Sequence, residues 1–211
     1  MTTDGPIGIM CALPQEQELL LAAIGDPAPL PHPGIEARQG TLDGHEVVIA
    51  AAGVGKVNAA TTATLMVERL GCRALVLSGV AGGLTEEASI GDIVIADRLI
   101  DIDYGRLTPE GRIVYQPGVL PIPEERPDPG YVLSEPLLER VRARLAATGL
   151  GATLGTILTT DAYLASPIER DAWAGEWDGL AVEMDVADLA SVERGLGEAL
   201  TFTGGALDVL A

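Results

Sequence analysis

Three acidic residues stand where apolar runs of this sequence stop: Glu16, Asp185 and Asp208. In an open α/β sheet, ligands bind in the crevice at the carboxyl ends of the strands, and an acid placed there can give or take a proton. The three positions therefore predict acid-base chemistry on a small molecule.

Two glycine-rich segments also follow strand-like runs, one at residues 53–56 and one at residues 79–83. Glycines at such points let backbone N–H groups approach a ligand closely. Neither segment has the spacing of a dinucleotide-binding or a Walker-type phosphate loop. Tight turns without a ligand remain the alternative for both segments.

The elements that must position these residues predict an α/β fold with a central mixed, mostly parallel sheet flanked by helices. The 211 residues are 47% hydrophobic but only 3% aromatic, so the core is built from small aliphatic side chains, as in a sheet covered by helices. The length favours one domain over two.

The periodicity predicts strands separated by helices, in the order of a parallel sheet. The predicted strands are Ile7–Leu13, Ile35–Leu42, Glu46–Ala52, Ala74–Ser78, Ile93–Ala96, Thr153–Leu158 and Leu180–Met184. The predicted helices begin at Pro14, near Lys56, at Ser134, at Pro167 and at Val186. We expect loops at Asp26–Gly34 and Gly79–Leu84, and an irregular excursion at Tyr104–Gly130 that serves as a lid, an oligomer contact or a disordered stretch.

Charge and composition exclude several classes of function. A net charge of -18 disfavours nucleic acid as a partner. Cys11 and Cys72 lie in apolar runs without metal or disulfide spacing, which predicts buried free thiols in a reducing cytoplasm. His32 and His45 lie in a loop and a hairpin without paired ligands, so we expect no metal site. No apolar run reaches the length of a membrane span, so no membrane partner is expected.

Taken together, six ordered segments resemble the 5'-methylthioadenosine/S-adenosylhomocysteine nucleosidases of the purine nucleoside phosphorylase superfamily. The segments that carry the resemblance are residues 7–16, 53–60, 78–84, 91–94, 160–163 and 181–185. The resemblance implies a nucleoside phosphorylase-like domain over residues 1–211, a homodimer, and hydrolysis of a purine N-glycosidic bond without a cofactor. Hydrolysis is favoured over phosphorolysis because Ala74–Ser78 carries no arginine for a phosphate.

The resemblance also implies roles for the acids. Glu16 corresponds to the carboxylate that activates the attacking water, and Asp185 to the glutamate that holds the ribose hydroxyls. Asp208 falls at the position of the acid that protonates adenine N7. Protonation there turns the base into a neutral leaving group. A helix-start role for Glu16 and a surface position for Asp208 remain the alternatives.

Further substrate contacts follow from the same resemblance. Tyr163 takes the place of the aromatic residue that stacks on adenine, and Met184 packs against the sugar. The other implied contacts with the substrate are Glu183, Leu164, Val80 and Gly82. An ordinary core role remains open for Tyr163 and Met184.

The sequence departs from the family at several points. Val80 replaces a small hydroxyl residue, and Gly204 and Leu207 replace an arginine and a serine beside Asp208. Residues 195–211 are atypical, and the closing C-terminal helix of the family is absent. Two alternatives therefore stay open: a protein that binds purine nucleosides without turnover, or a nucleosidase for another purine nucleoside such as futalosine.

Overall fold

The computed structural model describes residues 5–122, 128–185 and 199–207, the last of these through its backbone. The predicted fold class is confirmed: the fold is α/β, with a central mixed sheet flanked by helices. Two compact units can be distinguished, residues 5–79 with 199–202 and residues 80–122 and 128–185 with 203–207. The single-domain assignment stays a prediction.

The strands are β1 (Ile7–Cys11), β2 (Ala28–His32), β3 (Ile35–Leu42), β4 (His45–Ala51), β5 (Ala74–Gly83), β6 (Ile93–Asp101), β7 (Gly105–Thr108), β8 (Gly111–Val114), β9 (Tyr131–Val132), β10 (Ala152–Thr159), β11 (Gly179–Glu183) and β12 (Ala199–Leu207). The helices are α1 (Glu18–Ala23), α2 (Lys56–Glu68), α3 (Glu135–Thr148) and α4 (Pro167–Trp177), and a 3-10 turn at Pro14–Gln17 precedes α1.

In the first unit, β1 lies between β4 and the beginning of β5, and both pairings are parallel. β3 and β2 continue this part of the sheet with antiparallel pairings. The β3–β4 hairpin turns through Asp43 and Gly44, both at positive φ, as a two-residue turn of matching twist requires. The hairpin predicted across these two residues is confirmed.

In the second unit, β10 lies between β6 and β11, again with parallel pairings. β9 pairs antiparallel with β6, and the end of β5 pairs antiparallel with β11. A buried cluster of six side chains packs here: Leu84, Ile100, Ile102, Val114, Leu158 and Val182. Since the three parallel strands share their direction, their carboxyl ends lie along one edge.

Two loop predictions are wrong. Asp26–Gly34 contains β2, because β2 pairs with β3 at the edge of the described sheet and an edge strand tolerates prolines. Gly79–Leu84 is mostly strand, because β5 continues through Gly83 and pairs with β11. The charged pair Asp97 and Arg98 does not end β6, so that strand also extends beyond the predicted Ala96.

The excursion at residues 104–130 is ordered by hydrogen bonds between side chains and backbone in the part that the structure describes. It contains the β7–β8 hairpin. The Tyr104 hydroxyl donates to the Val119 carbonyl at 2.9 Å, and Arg106 donates to the Ile122 carbonyl at 3.0 Å. Its role as a lid or an oligomer contact stays a prediction.

Two serines, Ser134 before α3 and Ser166 before α4, allow a test of local stability. The Ser166 hydroxyl accepts from the Glu169 amide at 3.3 Å, whereas the Ser134 side chain makes no cap hydrogen bond. We expect Ser166→Ala to lower the free energy of unfolding by about 1 kcal/mol, because a helix-start donor loses its partner.

The matched control is Ser134→Ala, which removes the same hydroxyl from a helix start where it makes no such bond. Thermal unfolding followed by circular dichroism measures both. Equal shifts of the melting temperature in the two variants would contradict the assignment of the cap.

Candidate active site

Glu16 is positioned in the first unit by the turn that follows β1. The Leu13 amide donates to Oε2 of Glu16 at 2.8 Å, and the Glu16 amide donates to the Leu13 carbonyl at 3.1 Å. These reciprocal bonds fold the Glu16 side chain back over the end of β1. The carboxylate therefore stands at the carboxyl end of a parallel strand, where the sequence predicted it.

Gly79 allows β5 to pass close to this carboxylate. A Cβ at position 79 would lie 3.1 Å from Oε1 of Glu16, which is tighter than ordinary van der Waals contact. The glycine therefore allows close approach of the Glu16 side chain, whereas the approach of a ligand to this segment stays a prediction. The other glycine-rich segment leads into α2 with Gly53 and Gly55 at positive φ, and Lys56 begins the helix in a buried position.

Cys11 lies buried at the end of β1, and Cys72 is buried before β5. Burial raises the pKa of both thiols to about 12, and the negative charge of Glu16 adds to the effect on Cys11. The prediction of buried free thiols is confirmed. Both side chains are therefore protonated and inert near neutral pH.

In the second unit, the carboxyl ends of β6, β10 and β11 bring three buried polar residues into one row. Thr159 pairs in register with Asp101 on one side and with Glu183 on the other. Their exposed fractions are 4% for Asp101, 1% for Thr159 and 6% for Glu183. Burial of polar side chains is costly, and the Thr159 hydroxyl is buried without a hydrogen bond among the described residues, so the row is a candidate for a functional site.

Asp185 follows directly on this row. Its backbone amide donates to Oε2 of Glu183 at 2.6 Å, and its side chain is buried. The Glu183 carbonyl accepts from the Thr160 amide at 3.1 Å. The segment that carries Asp185 is thus bonded to the start of the loop at residues 160–164, which carries Tyr163.

The remaining predicted contacts of this unit lie on the same elements. Gly82 pairs with Val182 where β5 meets β11. Leu164 packs against the buried cluster, whereas Tyr163 is 70% exposed and Val80 is 36% exposed. Asp208 lies outside the described residues. The structure therefore brings Glu183, Asp185 and the Tyr163 loop together within one unit.

Sequence reasoning missed Asp101 and Asp103. The apolar run of β6 was predicted to end at Ala96, so the acids after it were not considered. A signal was present for Asp101, which closes an apolar run just as Asp185 does, whereas the role of Asp103 is visible only in its contacts. The Asp103 side chain accepts hydrogen bonds from both Thr160 and Asp161.

A separate cleft of about 300 Å³ lies at the opposite ends of the same strands. Val94, Thr153 and Leu180 line it, near the starts of β6, β10 and β11. Ligands of such sheets bind at the carboxyl ends, so we place the candidate site there and not in this cleft.

Two further findings concern the described residues. Within them, no three His, Cys, Asp or Glu side chains gather into a group that could hold a metal ion. No helix in the same part of the chain combines the length and the apolar character needed to cross a membrane.

The fold is that of an α/β protein, and its buried acids lie at the carboxyl ends of parallel strands, where such proteins bind small molecules. A sequence profile described as the phosphorylase superfamily matches residues 6–201. The chain therefore belongs to the phosphorylase superfamily. The predicted superfamily membership is confirmed.

Among curated relatives, the 5'-methylthioadenosine/S-adenosylhomocysteine nucleosidase of Mycobacterium tuberculosis is 42% identical over 88% of this chain and 78% of its own length. The nucleosidase of the same name from Shewanella baltica is 32% identical over 88% of this chain and 76% of its own length.

Among solved structures, futalosine hydrolase of Helicobacter pylori superposes with a TM-score of 0.80 and 26% identity, covering 95% of this chain and 83% of that chain. An S-adenosylhomocysteine nucleosidase of Streptococcus pyogenes, in complex with 5-methylthiotubericidin, superposes with a TM-score of 0.78 and 27% identity, covering the same shares of the two chains.

The raised thiol pKa values give a test of the first unit. At pH 8 a thiol with a pKa of about 12 is ionised in roughly one molecule in ten thousand. We expect neither Cys11 nor Cys72 to react with an aromatic disulfide reagent in the folded protein, and both to react in urea. Rapid release of one or two equivalents from the folded protein would contradict the assignment.

Proposed function

We propose that this protein hydrolyses the N-glycosidic bond of 5'-methylthioadenosine and S-adenosylhomocysteine, releasing adenine and a thioribose. The observation that carries the proposal is the similarity, over most of the chain, to nucleosidases of that name. Glu16 and Asp185, two of the three carboxylates that the chemistry requires, follow the ends of β1 and β11, which supports the proposal.

In the proposed mechanism, Glu16 positions and deprotonates the attacking water. The Leu13 amide donates to one carboxylate oxygen, Oε2. The other oxygen, Oε1, lies beside Gly79, which has no side chain to crowd it. A carboxylate is a sufficient base here because the sugar carbon under attack already carries much positive charge in the transition state. Water then needs only partial deprotonation.

Asp185 accepts hydrogen bonds from the ribose hydroxyls and stabilises the positive charge that grows on the sugar. Its buried position supports this role, since a carboxylate acts more strongly where water is excluded. Glu183 and Met184 flank it against the sugar. Tyr163 and Leu164 contact the base, and Val80 and Gly82 line the site from β5.

Departure of the base is assigned to Asp208, which donates a proton to N7 of adenine. The neutral purine then leaves, so the bond can break near neutral pH. This assignment rests on the position of Asp208 in the sequence and on the resemblance to the family. No metal and no cofactor enters the mechanism.

The two alternatives to this proposal are a different purine nucleoside as the substrate and binding without turnover. The similarity to a futalosine hydrolase favours futalosine as the other candidate substrate. A protein that binds without turnover is favoured by Val80 and by the atypical residues 195–211. Parallel assays with methylthioadenosine, S-adenosylhomocysteine and futalosine separate the substrates, and calorimetry with adenine detects binding without turnover.

The proposed setting is the cytoplasm, where the reaction serves methionine salvage. Buried free thiols are typical of a reducing compartment. The thioribose product keeps the sulfur of the nucleoside, so its recovery requires a reaction that consumes a thio-sugar.

A homodimer is proposed as the working form. Large apolar side chains stand exposed in each unit: Leu19 at 85% and Val57 at 74% in the first, and Leu107 at 77% in the second. Leu120 and Ile122 of the excursion are also more than half exposed. We propose that a second subunit covers those of them that lie together on one surface, since contiguous exposed apolar area is typical of an interface.

The catalytic proposal is tested by adenine release from methylthioadenosine. We expect Glu16→Gln to lower kcat by at least a hundredfold with little change in thermal stability, because the amide keeps the shape but cannot take a proton. The matched control is Glu18→Gln, which makes the same change on the exposed first turn of α1 and should leave kcat at the wild-type value.

Two results would count against the mechanism. A fully active Glu16→Gln protein would remove the water-activating role. An absence of adenine release by the wild-type protein between mild acid and neutral pH would remove the proposed activity itself.

The dimer is tested by sedimentation equilibrium at micromolar concentration. We expect the mass of two chains of 21.8 kDa each, because exposed apolar area drives association. The variant Val57→Glu introduces a charge on the exposed face of α2 and should shift the mass toward one chain. A wild-type protein with the mass of one chain would contradict the dimer.

A further inference from the structure

We infer that Asp103 is a positioning residue, whose carboxylate fixes the loop at residues 160–164 in the shape that presents Tyr163 and Leu164 to the purine base. The inference rests on the proposed function and assigns a role to an acid that the sequence analysis overlooked. All the contacts that carry it lie within the second unit.

Both oxygens of the Asp103 carboxylate are used. Oδ1 accepts from the Thr160 hydroxyl at 3.0 Å and from Nη1 of Arg112 at 3.2 Å. Oδ2 accepts from the Asp161 amide at 2.6 Å. The Thr160 hydroxyl in turn accepts from the Ala162 amide at 3.0 Å. The first three residues of the loop are therefore tied to one carboxylate, directly or through a hydroxyl.

The other end of the loop is held by packing. Leu164 lies against the buried cluster that includes Ile102 and Val114. Tyr163 lies between the two attachments and is 70% exposed. The loop joins β10 to α4 without helix or strand structure of its own, so its shape depends on these attachments.

Asp103 is itself fixed by the chain on both sides of it. The Asp103 amide donates to Oδ1 of Asp101 at 2.8 Å, and the Tyr104 amide donates to the same oxygen at 3.2 Å. Arg112, on β8, also donates to the Ile102 carbonyl at 3.1 Å. The end of β6, the β7–β8 hairpin and the loop thus meet at Asp103.

The site requires a carboxylate and not an amide. Three donors converge on the two oxygens, and a carboxylate accepts at both of them. An asparagine at position 103 would turn an NH2 group toward at least one N–H or guanidinium donor. Because a bond to an ionised acceptor is about twice as strong as a neutral one, the amide would hold the loop less firmly.

Asp103 acts through the loop and makes no step of the reaction. Loosening a surface that holds the base weakens the ground state and the transition state alike, so KM rises while kcat changes little. Loss of a catalytic group, by contrast, lowers kcat. This difference separates a positioning role from a chemical one.

The test compares Asp103→Asn with Asp171→Asn. Asp171 lies on α4, is exposed, and its side chain accepts hydrogen bonds from the adjacent Arg170, so it receives the same chemical change away from the loop attachment. We expect Asp103→Asn to raise KM for methylthioadenosine at least tenfold with kcat within threefold of the wild-type value. Asp171→Asn should leave both constants unchanged.

Hydrogen exchange gives a readout that needs no turnover. The amides of Asp161 and Ala162 are held by the Asp103 network, so a peptide covering residues 160–164 should exchange faster in Asp103→Asn. The same peptide should keep wild-type exchange in Asp171→Asn. Faster exchange confined to this peptide would show that Asp103 holds the loop locally, and that the substitution does not simply lower the stability of the whole protein.

A second pair of variants covers the case in which Asp103→Asn fails to fold. Thr160→Val removes one donor to the carboxylate and should raise KM in the same direction, by a smaller factor. Thr160→Ser keeps the hydroxyl and should restore the wild-type KM. A Thr160→Val protein with unchanged KM and unchanged exchange would overturn the inference.

The outcomes for the inference and for the proposed function are distinct. Wild-type adenine release together with unchanged KM and exchange in Asp103→Asn would overturn the positioning role alone. A large fall of kcat at constant KM would overturn it too, since it would assign Asp103 to the chemistry. No adenine release by the wild-type protein would overturn the proposed function, and the inference that rests on it.

Discussion

Parallel pairing of β10 with both β6 and β11 is the constraint on which the second unit depends. Because the three strands run in the same direction, each is followed by a loop at the same edge of the sheet. The register places Asp101, Thr159 and Glu183 side by side. Every candidate contact of this unit is carried by these strand ends, by the loop that follows β10, or by the end of β5.

The same principle operates in the first unit on a smaller scale. β1 and β4 are parallel, and the amides of Ala52 and Gly53 donate to the carbonyls of Cys11 and Ala12 beyond the paired strands. The turn with Glu16 therefore leaves the sheet at a fixed point. Side chains from distant parts of the sequence gain their positions from strand direction, not from closeness along the chain.

The sequence predicts those features that depend on local periodicity. The β3–β4 hairpin, α3, α4 and the acids at the ends of β1 and β11 follow from apolar spacing, helix starts and the turn at Asp43 and Gly44. Pairings between strands that are distant in the sequence cannot be predicted from the periodicity of a few neighbouring residues. β2 and the second half of β5 are strands because a partner strand lies beside them, which overrides their proline and glycine content.

The residues of the candidate site also divide into those that local sequence predicts and those that it does not. Glu16, Glu183 and Asp185 could be predicted because each stands near the end of an apolar run that the sequence displays. Asp103 could not, since its importance comes from Thr160 and Asp161, which lie 57 and 58 residues further along the chain. An acid gains such a role from the donors that surround it, and these are visible only in the folded chain.

The alternating prolines of β2 have a consequence for the outer rim of the sheet. Pro29 and Pro31 have no amide hydrogen to offer, and β2 is the last strand on its side. A foreign strand that approached this rim would find few donors to bond with, so growth of the sheet into fibrils is disfavoured there. The chain thus protects itself against aggregation at a place where its composition alone suggests only a loop.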